Sequence, residues 1–460
     1  MQASIVKPQD VVTVSVLAAV LALGLTLTTP TVGLQVVVGF LVILVAFTSV
    51  PASLFLLIFS MLLSPELAVG RVEGRGVGGR ELSLRADDLL LVVIGFSWLV
   101  KTILYRDLAL VRDTPINRPI VYYMLVCVVA TLIGVMAGRV RPLTGFFFVL
   151  KYFEYFFVFF MVVNHVSSKR QVVSLVTALL TICFVISIYA IAQIPSGQRA
   201  SAPFEGESGE PNTLGGYLVF ILAIVMGLFL HLKSRPIRVT LGLLMGFISL
   251  ALMATLSRSS YLAAGVLLLS VAATQWRRPG VLACILLLAI VLPFLAPANV
   301  KHRVSETFFG RQYGGEIKVG GVGLDLSTSE RLRSWQYVLK DWVQNPLLGR
   351  GVTGYVWADA QYVKILGETG LAGLVAFVFV MVRLWRRARE TFVAEQDPFC
   401  KGLAHGFLLG MIAMLAHGVG ANTFIIIRIM EPFWLCAGLV IILPRLTAEQ
   451  TVGVPQRAFP

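Results

Sequence analysis

Apolar runs of about 20 residues recur along almost the whole chain, and nothing else in the sequence constrains the fold as strongly. A run of that length crosses the hydrocarbon core of a bilayer as a single helix. Hydrophobic residues make up 57% of the 460 residues and charged residues only 13%, whereas a soluble domain carries about 25% charged residues. The sequence therefore predicts an all-α polytopic membrane protein, with one integral membrane domain over residues 1–460.

We predict about 14 transmembrane helices, in a range of about 12–14. The apolar stretches on either side of Pro51 fit either two short spans or one kinked helix. The first run is read as a span and not as a signal peptide, because Asp10 weakens its basic flank and no small-residue cleavage site follows. The predicted spans lie near residues 11–29, 34–50, 52–64, 87–104, 119–137, 143–164, 171–194, 213–232, 237–256, 259–276, 280–296, 361–385, 401–421 and 424–443.

Lys and Arg in the short loops predict the orientation, because cytoplasmic loops carry an excess of both. With the N-terminus inside, every cytoplasmic loop is basic; these loops are residues 105–118, 165–170, 231–238, 277–279 and 386–400. We therefore expect a multi-pass protein of the bacterial cytoplasmic (inner) membrane with both termini in the cytoplasm. Insertion also explains the formal net charge of +14, so nucleic acid is not an expected partner.

The cysteines predict neither a disulfide nor a metal cluster. All five lie in apolar runs or in predicted cytoplasmic loops; they are Cys127, Cys183, Cys284, Cys400 and Cys436. No HExxH, Walker A or GxSxG pattern is present in the sequence, and no Asp-x-Asp pair suits a metal-bound nucleotide donor. We therefore expect no cofactor and no metal site.

The largest predicted extracytoplasmic loop, residues 297–360, lies between the eleventh and twelfth spans. Ser327 to Ser329 followed by Glu330 indicate a helix start, and Asn345-Pro346 indicates its end. An apolar stripe at helical spacing between them predicts an amphipathic helix; it consists of Leu332, Trp335, Leu339 and Trp342. The predicted outer loops also hold many arginines, which suits an anionic ligand, although long loops are translocated whatever their charge.

Four motifs in the second half of the chain carry a family resemblance. They are Thr255-Leu-Ser-Arg258-Ser-Ser, Glu330-Arg331-Leu-Arg-Ser-Trp335, Asn345-Pro-Leu-Leu-Gly349-Arg-Gly351 and Asp359-Ala-Gln-Tyr362-Val-Lys-Ile-Leu-Gly-Glu368-Thr-Gly370. Upstream, Arg199 followed by Pro211-Asn212 fits the same family more loosely. In their order and spacing, these motifs resemble the O-antigen ligase and O-antigen polymerase superfamily, with the ligase/polymerase-like core over residues 237–385.

The resemblance implies a membrane glycosyltransferase that acts on the extracytoplasmic side. Its donor would be a glycan on a polyprenyl diphosphate such as undecaprenyl diphosphate, and it would invert the anomeric carbon without a metal ion. O-antigen or exopolysaccharide polymerisation is the reading we prefer. The alternatives are a ligase that passes the glycan to lipid A core or another acceptor, and a flippase for lipid-linked oligosaccharides. The expected partners are the lipid-linked oligosaccharide and the bilayer, and a chain-length regulator and a flippase are further candidates.

Arginines are the candidate groups for stabilising the diphosphate leaving group, because a guanidinium grips phosphate oxygens bidentately. Arg258 and Arg331 are the predicted catalytic arginines, and Arg199, Arg303 and Asn212 are predicted to bind substrate. Each arginine also has a structural alternative. Arg258 could be an interfacial residue that snorkels, and Arg331 could lie on a solvated helix face.

Asp359 is the predicted acceptor-side catalytic residue. Ligases of the family commonly have a His at this place, so the Asp tilts the resemblance towards the polymerase branch. Asp359 would act as a base or orient the acceptor, or it could simply cap the following helix. Glu368 is predicted to line the substrate cavity, and His302 and His417 are alternative replacements for the missing His.

Overall fold

The computed structural model describes residues 50–63, 66–71, 81–85, 91, 95, 112–203, 210–280, 282–283, 318–319, 322–323, 326–355 and 360–451. Within these ranges, eight helices are long and apolar enough to cross a membrane, and two shorter helices are apolar. The described helices are α1 (Val50–Leu63), α2 (Asn117–Met136), α3 (Pro142–His165), α4 (Lys169–Ala192), α5 (Pro211–His231), α6 (Arg235–Ala254), α7 (Arg258–Thr274), α8 (Leu326–Trp342), α9 (Gln361–Ala394), α10 (Pro398–His417) and α11 (Ile427–Thr451).

The prediction of a helical, multi-pass membrane protein is confirmed. Each predicted span that falls on described residues corresponds to one of these helices. The predicted spans near residues 11–29, 34–50, 87–104 and 280–296 lie almost wholly outside the described residues. The count of about 14 spans therefore stays a prediction.

Two antiparallel hairpins accompany the helices in the described part of the chain. Strands β1 (Glu66–Arg71) and β2 (Glu81–Arg85) pair with a register shift between Ala68 and Gly70. Strands β3 (Lys318–Val319) and β4 (Val322–Gly323) form the second pair. The sequence predicted an all-α protein and no strands. Both hairpins lie in segments predicted as loops, so they do not change the predicted spans.

Helix α5 is among the most enclosed of the described helices. In its most apolar stretch of 18 residues, 83% of the residues are buried. It packs against α10 along a stripe of glycines, Gly402, Gly406 and Gly410, spaced four residues apart on one face. A Cβ added at Gly406 would lie only 2.7 Å from the Cα of Ile224. Small residues at this spacing let two helix backbones approach closely, which is how helices pack when lipid surrounds them.

Aromatic side chains fill the space between α3 and α11. Trp434 is buried, and its ring lies 4.7 Å from that of Phe156 and 5.8 Å from that of Phe159. Both contacts have the edge-to-face geometry that aromatic rings prefer. Accordingly, 94% of the residues in the most apolar 18-residue stretch of helix α11 are buried.

Helix α9 is broken at Gly370, whose φ of +65° and ψ of −163° are not helical. The break leaves backbone groups without helical partners, and an ordered loop over residues 346–351 supplies replacements. The Leu371 N–H donates to the Pro346 carbonyl at 2.8 Å, and the Gly351 N–H donates to the Glu368 carbonyl at 2.8 Å. Non-helical backbone in a membrane protein persists where protein groups satisfy it in this way.

Helix α8 lies where the sequence predicts an amphipathic helix, and it contacts α9. Near the end of its predicted apolar stripe, Leu339 is 42% exposed to the outside of the protein, whereas the neighbouring Val338 is buried. The packing partner decides this difference. Val338 lies over Gly367 of α9, where a Cβ would come within 2.7 Å of its side chain.

Candidate functional site

One end of the bundle gathers the polar residues that the motifs single out. At this end α5 and α7 begin, and α6 and α10 finish. We call it the arginine end. Its centre is the turn between α6 and α7, residues 255–260, which we call the serine turn. Leu256 adopts a φ of +48°, and Ser257 caps α7 by accepting a hydrogen bond from the Ser260 N–H at 3.4 Å.

Two of the predicted substrate-binding residues contact the serine turn directly. The Ser257 hydroxyl donates to the Asn212 side-chain oxygen at 2.7 Å. The Arg199 Nε–H donates to the Thr255 carbonyl at 3.2 Å. Arg258 is the first residue of α7 on the same turn. The structure therefore brings together Arg199, Asn212 and Arg258, three predicted site residues from three separate segments of the chain.

His417 continues this polar network into the protein. It is fully buried, and its Nε2 lies 3.1 Å from the Ser260 hydroxyl while its Nδ1 lies 2.7 Å from the Thr423 hydroxyl. Ser260 donates its own proton to Ser257 at 2.8 Å, so the bond with His417 requires an Nε2–H donor. Thr423, His417, Ser260 and Ser257 therefore form one continuous series of side-chain hydrogen bonds that ends at the serine turn.

Glycines of α5 make room for this chain. A Cβ at Gly215 would collide with the Ser260 side chain, and a Cβ at Gly216 would lie 3.0 Å from the His417 ring. The sequence Gly215-Gly216 follows Pro211-Asn212 by one helical turn. The early part of α5 therefore both supplies Asn212 and admits the histidine.

Arg331 also belongs to the arginine end. It lies on α8 and is half-buried. Its guanidinium is close enough that its charge acts on His417. The three predicted arginines, Arg199, Arg258 and Arg331, therefore lie at the same end of the bundle as this network of hydroxyl, amide and imidazole groups.

Gln361 is a buried polar residue inside the fourth motif, and it is not one of the predicted site residues. Its N–H donates to the Gly418 carbonyl at 3.0 Å, and its side-chain oxygen accepts from the Phe424 N–H at 2.9 Å. Its Nε2 is buried and has no hydrogen-bond partner among the described residues. This amide links the start of α9 to the end of α10, next to His417.

Arg428 on α11 is buried, and its Nη1 donates to the Pro203 carbonyl at 3.0 Å. It thereby ties the segment that contains Arg199 to α11. Glu431, one turn further along the same helix, is fully buried as well. A buried arginine bound to a distant carbonyl holds the loop after α4 against the bundle.

Glu368 lies apart from the serine turn, at the break of α9. Its carboxylate accepts from the Lys364 ammonium group, one helical turn earlier, and from the Thr353 N–H at 3.0 Å. These contacts attach the loop that follows α8 to α9, which is a structural role. The predicted contact between Glu368 and substrate stays a prediction.

A second set of contacts holds the same loop. Arg350 and Tyr355 both bind the carboxylate of Asp341 at the end of α8, and the Arg350 guanidinium lies 5.2 Å from the centre of the Tyr355 ring. Burial and the hydrogen bond to Asp341 raise the pKa of Tyr355, so its hydroxyl remains a donor. The Asn345-to-Gly351 motif is therefore an anchored loop.

Asp359, Arg303 and His302 lie outside the described residues, so their predicted roles are untested. The sequence did not predict Ser257 and Ser260 as site residues, and it gave His417 only as an alternative candidate. Ser257 and Ser260 flank Arg258 in the motif, but their partners are far away in the chain. His417 lies 157 residues from Ser260, and no local pattern links the two positions.

This geometry defines a class of protein: a polytopic helical membrane protein with arginines and small polar groups collected at one end of its bundle. Guanidinium groups make strong, often bidentate hydrogen bonds to phosphate oxygens, so this arrangement suits a phosphate-bearing ligand. Residues 243–378, from α6 to beyond the break of α9, match the family model described as O-Antigen ligase (Wzy_C). The match confirms the resemblance to the O-antigen ligase and polymerase superfamily. No curated protein matches the chain.

Proposed function

We propose that this protein polymerises polysaccharide repeat units outside the cytoplasmic membrane, by inverting and metal-independent glycosyl transfer from a polyprenyl-diphosphate-linked glycan. The observation that supports this most strongly is the serine turn, where Arg199 and Asn212 meet the segment that bears Arg258. The family match covers Arg258 and Arg331 and supports glycosyl transfer as the chemistry.

In the proposed step, a hydroxyl of the acceptor glycan attacks the anomeric carbon of the donor. A new carbon–oxygen bond forms while the bond from that carbon to the diphosphate oxygen breaks, and the configuration inverts. The negative charge that develops on the diphosphate is stabilised by Arg258, Arg199 and Arg331. The acceptor proton passes to a base, for which Asp359 is our candidate.

The same chemistry with a different acceptor is the main alternative. The description of the family model, O-Antigen ligase, favours it, because a ligase hands the glycan to lipid A core. Asp359 in place of the His of ligases favours the polymerase. The acceptor therefore separates the two readings.

Purified protein in detergent tests the proposal when it is supplied with a polyprenyl-diphosphate oligosaccharide and no nucleotide. A polymerase lengthens the glycan on its lipid carrier, and a metal chelator leaves the product ladder unchanged. Added lipid A core distinguishes the ligase, since the glycan would then appear on that acceptor. A preparation that forms no glycosidic bond, yet moves the lipid-linked substrate across liposomes, would contradict both readings and indicate the flippase.

A further inference from the structure

The bundle has a second cluster of charge at the end opposite the serine turn. Helix α5 begins beside the serine turn at Asn212 and finishes at His231, which places His231 roughly 30 Å away. There a cavity of about 380 Å³ lies between the end of α5, the starts of α6 and α10, and the segment after α7. We call it the basic cavity.

Four cationic side chains line the basic cavity, namely Lys233, Arg238, Arg278 and Lys401. No carboxylate is among its lining residues, and none in the described part of the chain forms an ion pair with these four. Their mutual repulsion favours an anion as counter-charge.

The two nearest carboxylates along the chain are already engaged. Asp397 binds the Lys169 ammonium group at 2.6 Å and accepts from the Cys400 N–H at 3.0 Å. Glu395 is buried and accepts from the Thr447 hydroxyl at 3.0 Å. Neither carboxylate forms an ion pair with the four cations of the cavity.

The cations are held in place by neutral groups. The Arg278 Nη1 donates to the Leu230 carbonyl at 3.4 Å, and the Lys401 ammonium donates to the Glu395 carbonyl at 3.2 Å. The Arg238 guanidinium lies 4.8 Å from the centre of the Phe229 ring. Contacts with carbonyls and an aromatic face orient these groups and leave their charge available.

The flanking helices indicate where the anion comes from. Helix α6 is the least enclosed of the eight described candidate spans, because only 28% of the residues in its most apolar 18-residue stretch are buried. Val239 and Leu243 on α6 are each 62% exposed, and Trp276 just after α7 is 65% exposed. Exposed apolar side chains beside a tryptophan and several cations are typical of the interface between acyl chains and headgroups.

We propose that the basic cavity binds the phosphate of an anionic phospholipid headgroup, with phosphatidylglycerol as the simplest ligand of that chemistry. Basic pockets between transmembrane helices recognise headgroups in this way. A free phosphate ion has the same charged group but cannot cover the exposed faces of α6 and α7. The site is separate from the serine turn and independent of the glycosyl-transfer proposal.

Native mass spectrometry of the purified full chain, titrated in neutral detergent, tests this inference. The probes are phosphatidylglycerol, phosphatidylcholine and inorganic phosphate. The wild type is expected to bind phosphatidylglycerol at least ~10-fold more tightly than phosphatidylcholine. The triple variant R238Q/R278Q/K401Q is expected to lose at least ~10-fold in affinity for phosphatidylglycerol, because each basic residue near an anionic lipid contributes several-fold.

The matched control is R383Q/R386Q/R389Q, which removes the same charge from exposed positions on α9 towards the same end. It is expected to bind phosphatidylglycerol within about 2-fold of the wild type. An equal loss in the control would overturn the site, as would equal binding of the two lipids by the wild type. Tight binding of inorganic phosphate alone would overturn the lipid assignment. If the triple variant aggregates, the single variants R278Q and K401Q replace it, each with ~3-fold weaker binding expected.

Discussion

Arg258 is the first residue of α7 and follows the capping residue Ser257. Arg199 and Asn212 contact the same turn, so several contacts fix the backbone position of Arg258. We predict that Arg258→Ala lowers the turnover number of the polymerisation about 10²–10³-fold, the effect of removing one preorganised group that stabilises a developing oxyanion. Arg258→Lys should recover a small part, because an ammonium group cannot bind phosphate bidentately. The measurement is the rate of glycan lengthening by purified protein.

Arg386→Ala is the control for this prediction, since Arg386 is exposed on α9 and far along the chain from the serine turn. It should keep the wild-type rate. A wild-type product ladder from Arg258→Ala, at equal membrane levels, would contradict the assignment of Arg258.

His417 touches the serine turn through Ser260, so we class it as a positioning residue. Its replacement should disturb the geometry of Arg258 and Asn212 without removing charge from the site. We predict that His417→Ala lowers kcat about 10–100-fold and changes KM little, because small displacements of a catalytic constellation have effects of this size. His417→Gln, which retains one donor and one acceptor, should restore part of kcat.

Steady-state kinetics of the same purified variants separate this role from a general loss of structure. A damaged fold would lower the apparent kcat by reducing the active fraction, so the variants are compared at equal amounts of monodisperse, folded protein. A rise in KM with unchanged kcat would show that His417 instead contributes uniform substrate binding.

At the scale of elements, the glycine stripe of α10 sets the distance between α5 and α10. We predict that Gly406→Ala destabilises the folded protein by about 1–3 kcal/mol, because the added Cβ has no space beside Ile224. Thermal or SDS-induced unfolding in detergent measures this difference in the free energy of unfolding.

The control is Gly265→Ala in α7, where a Cβ would meet nothing within 4 Å. That variant should be neutral or more stable by about 0.5–1 kcal/mol, since Ala favours a helix over Gly. Equal effects of the two changes would argue against close packing at Gly406.

The break in α9 is an element-scale feature with a different origin. Only a glycine adopts a φ of +65° readily, and a Cβ at Gly370 would also collide with the Leu347 carbonyl. The loop over residues 346–351 and the kinked helix therefore define each other. This mutual docking explains why the Asn-Pro-Leu-Leu-Gly-Arg-Gly and Glu-Thr-Gly motifs occur together in this chain.

For the whole molecule, the two polar ends of the bundle should face opposite sides of the membrane. Ser196 lies beside Arg199 at the arginine end, and Ser234 lies beside the basic cavity; both are exposed. We predict that a membrane-impermeant maleimide labels Ser196→Cys in intact spheroplasts and labels Ser234→Cys only after permeabilisation. The four described cysteines are buried, and labelling of the wild type, which also carries Cys284, gives the background. The opposite labelling pattern would reverse the orientation and contradict an extracytoplasmic active site.

Span positions were predictable because hydropathy and length are local properties of a chain segment. The predicted spans at residues 213–232 and 401–421 correspond to α5 and α10 with shifts of a few residues at their ends. The helix of the large loop was also predictable from its start and stop residues. Its buried face was not, because the position of Gly367 on another helix decides whether Val338 or Leu339 is covered.

The sequence by itself therefore determined the class of protein and the spans that fall on described residues, and it predicted the orientation and the arginines worth testing. Each of these depends on residue type and on neighbours within one or two helical turns. Only the tertiary structure decided which of those residues meet: Asn212 reaches Ser257 across 45 residues of chain, and His417 reaches Ser260 across 157. Such contacts depend on how the helices pack, and in lipid that packing is decided by close steric fit, as at the glycines of α5 and α10, which hydropathy does not encode.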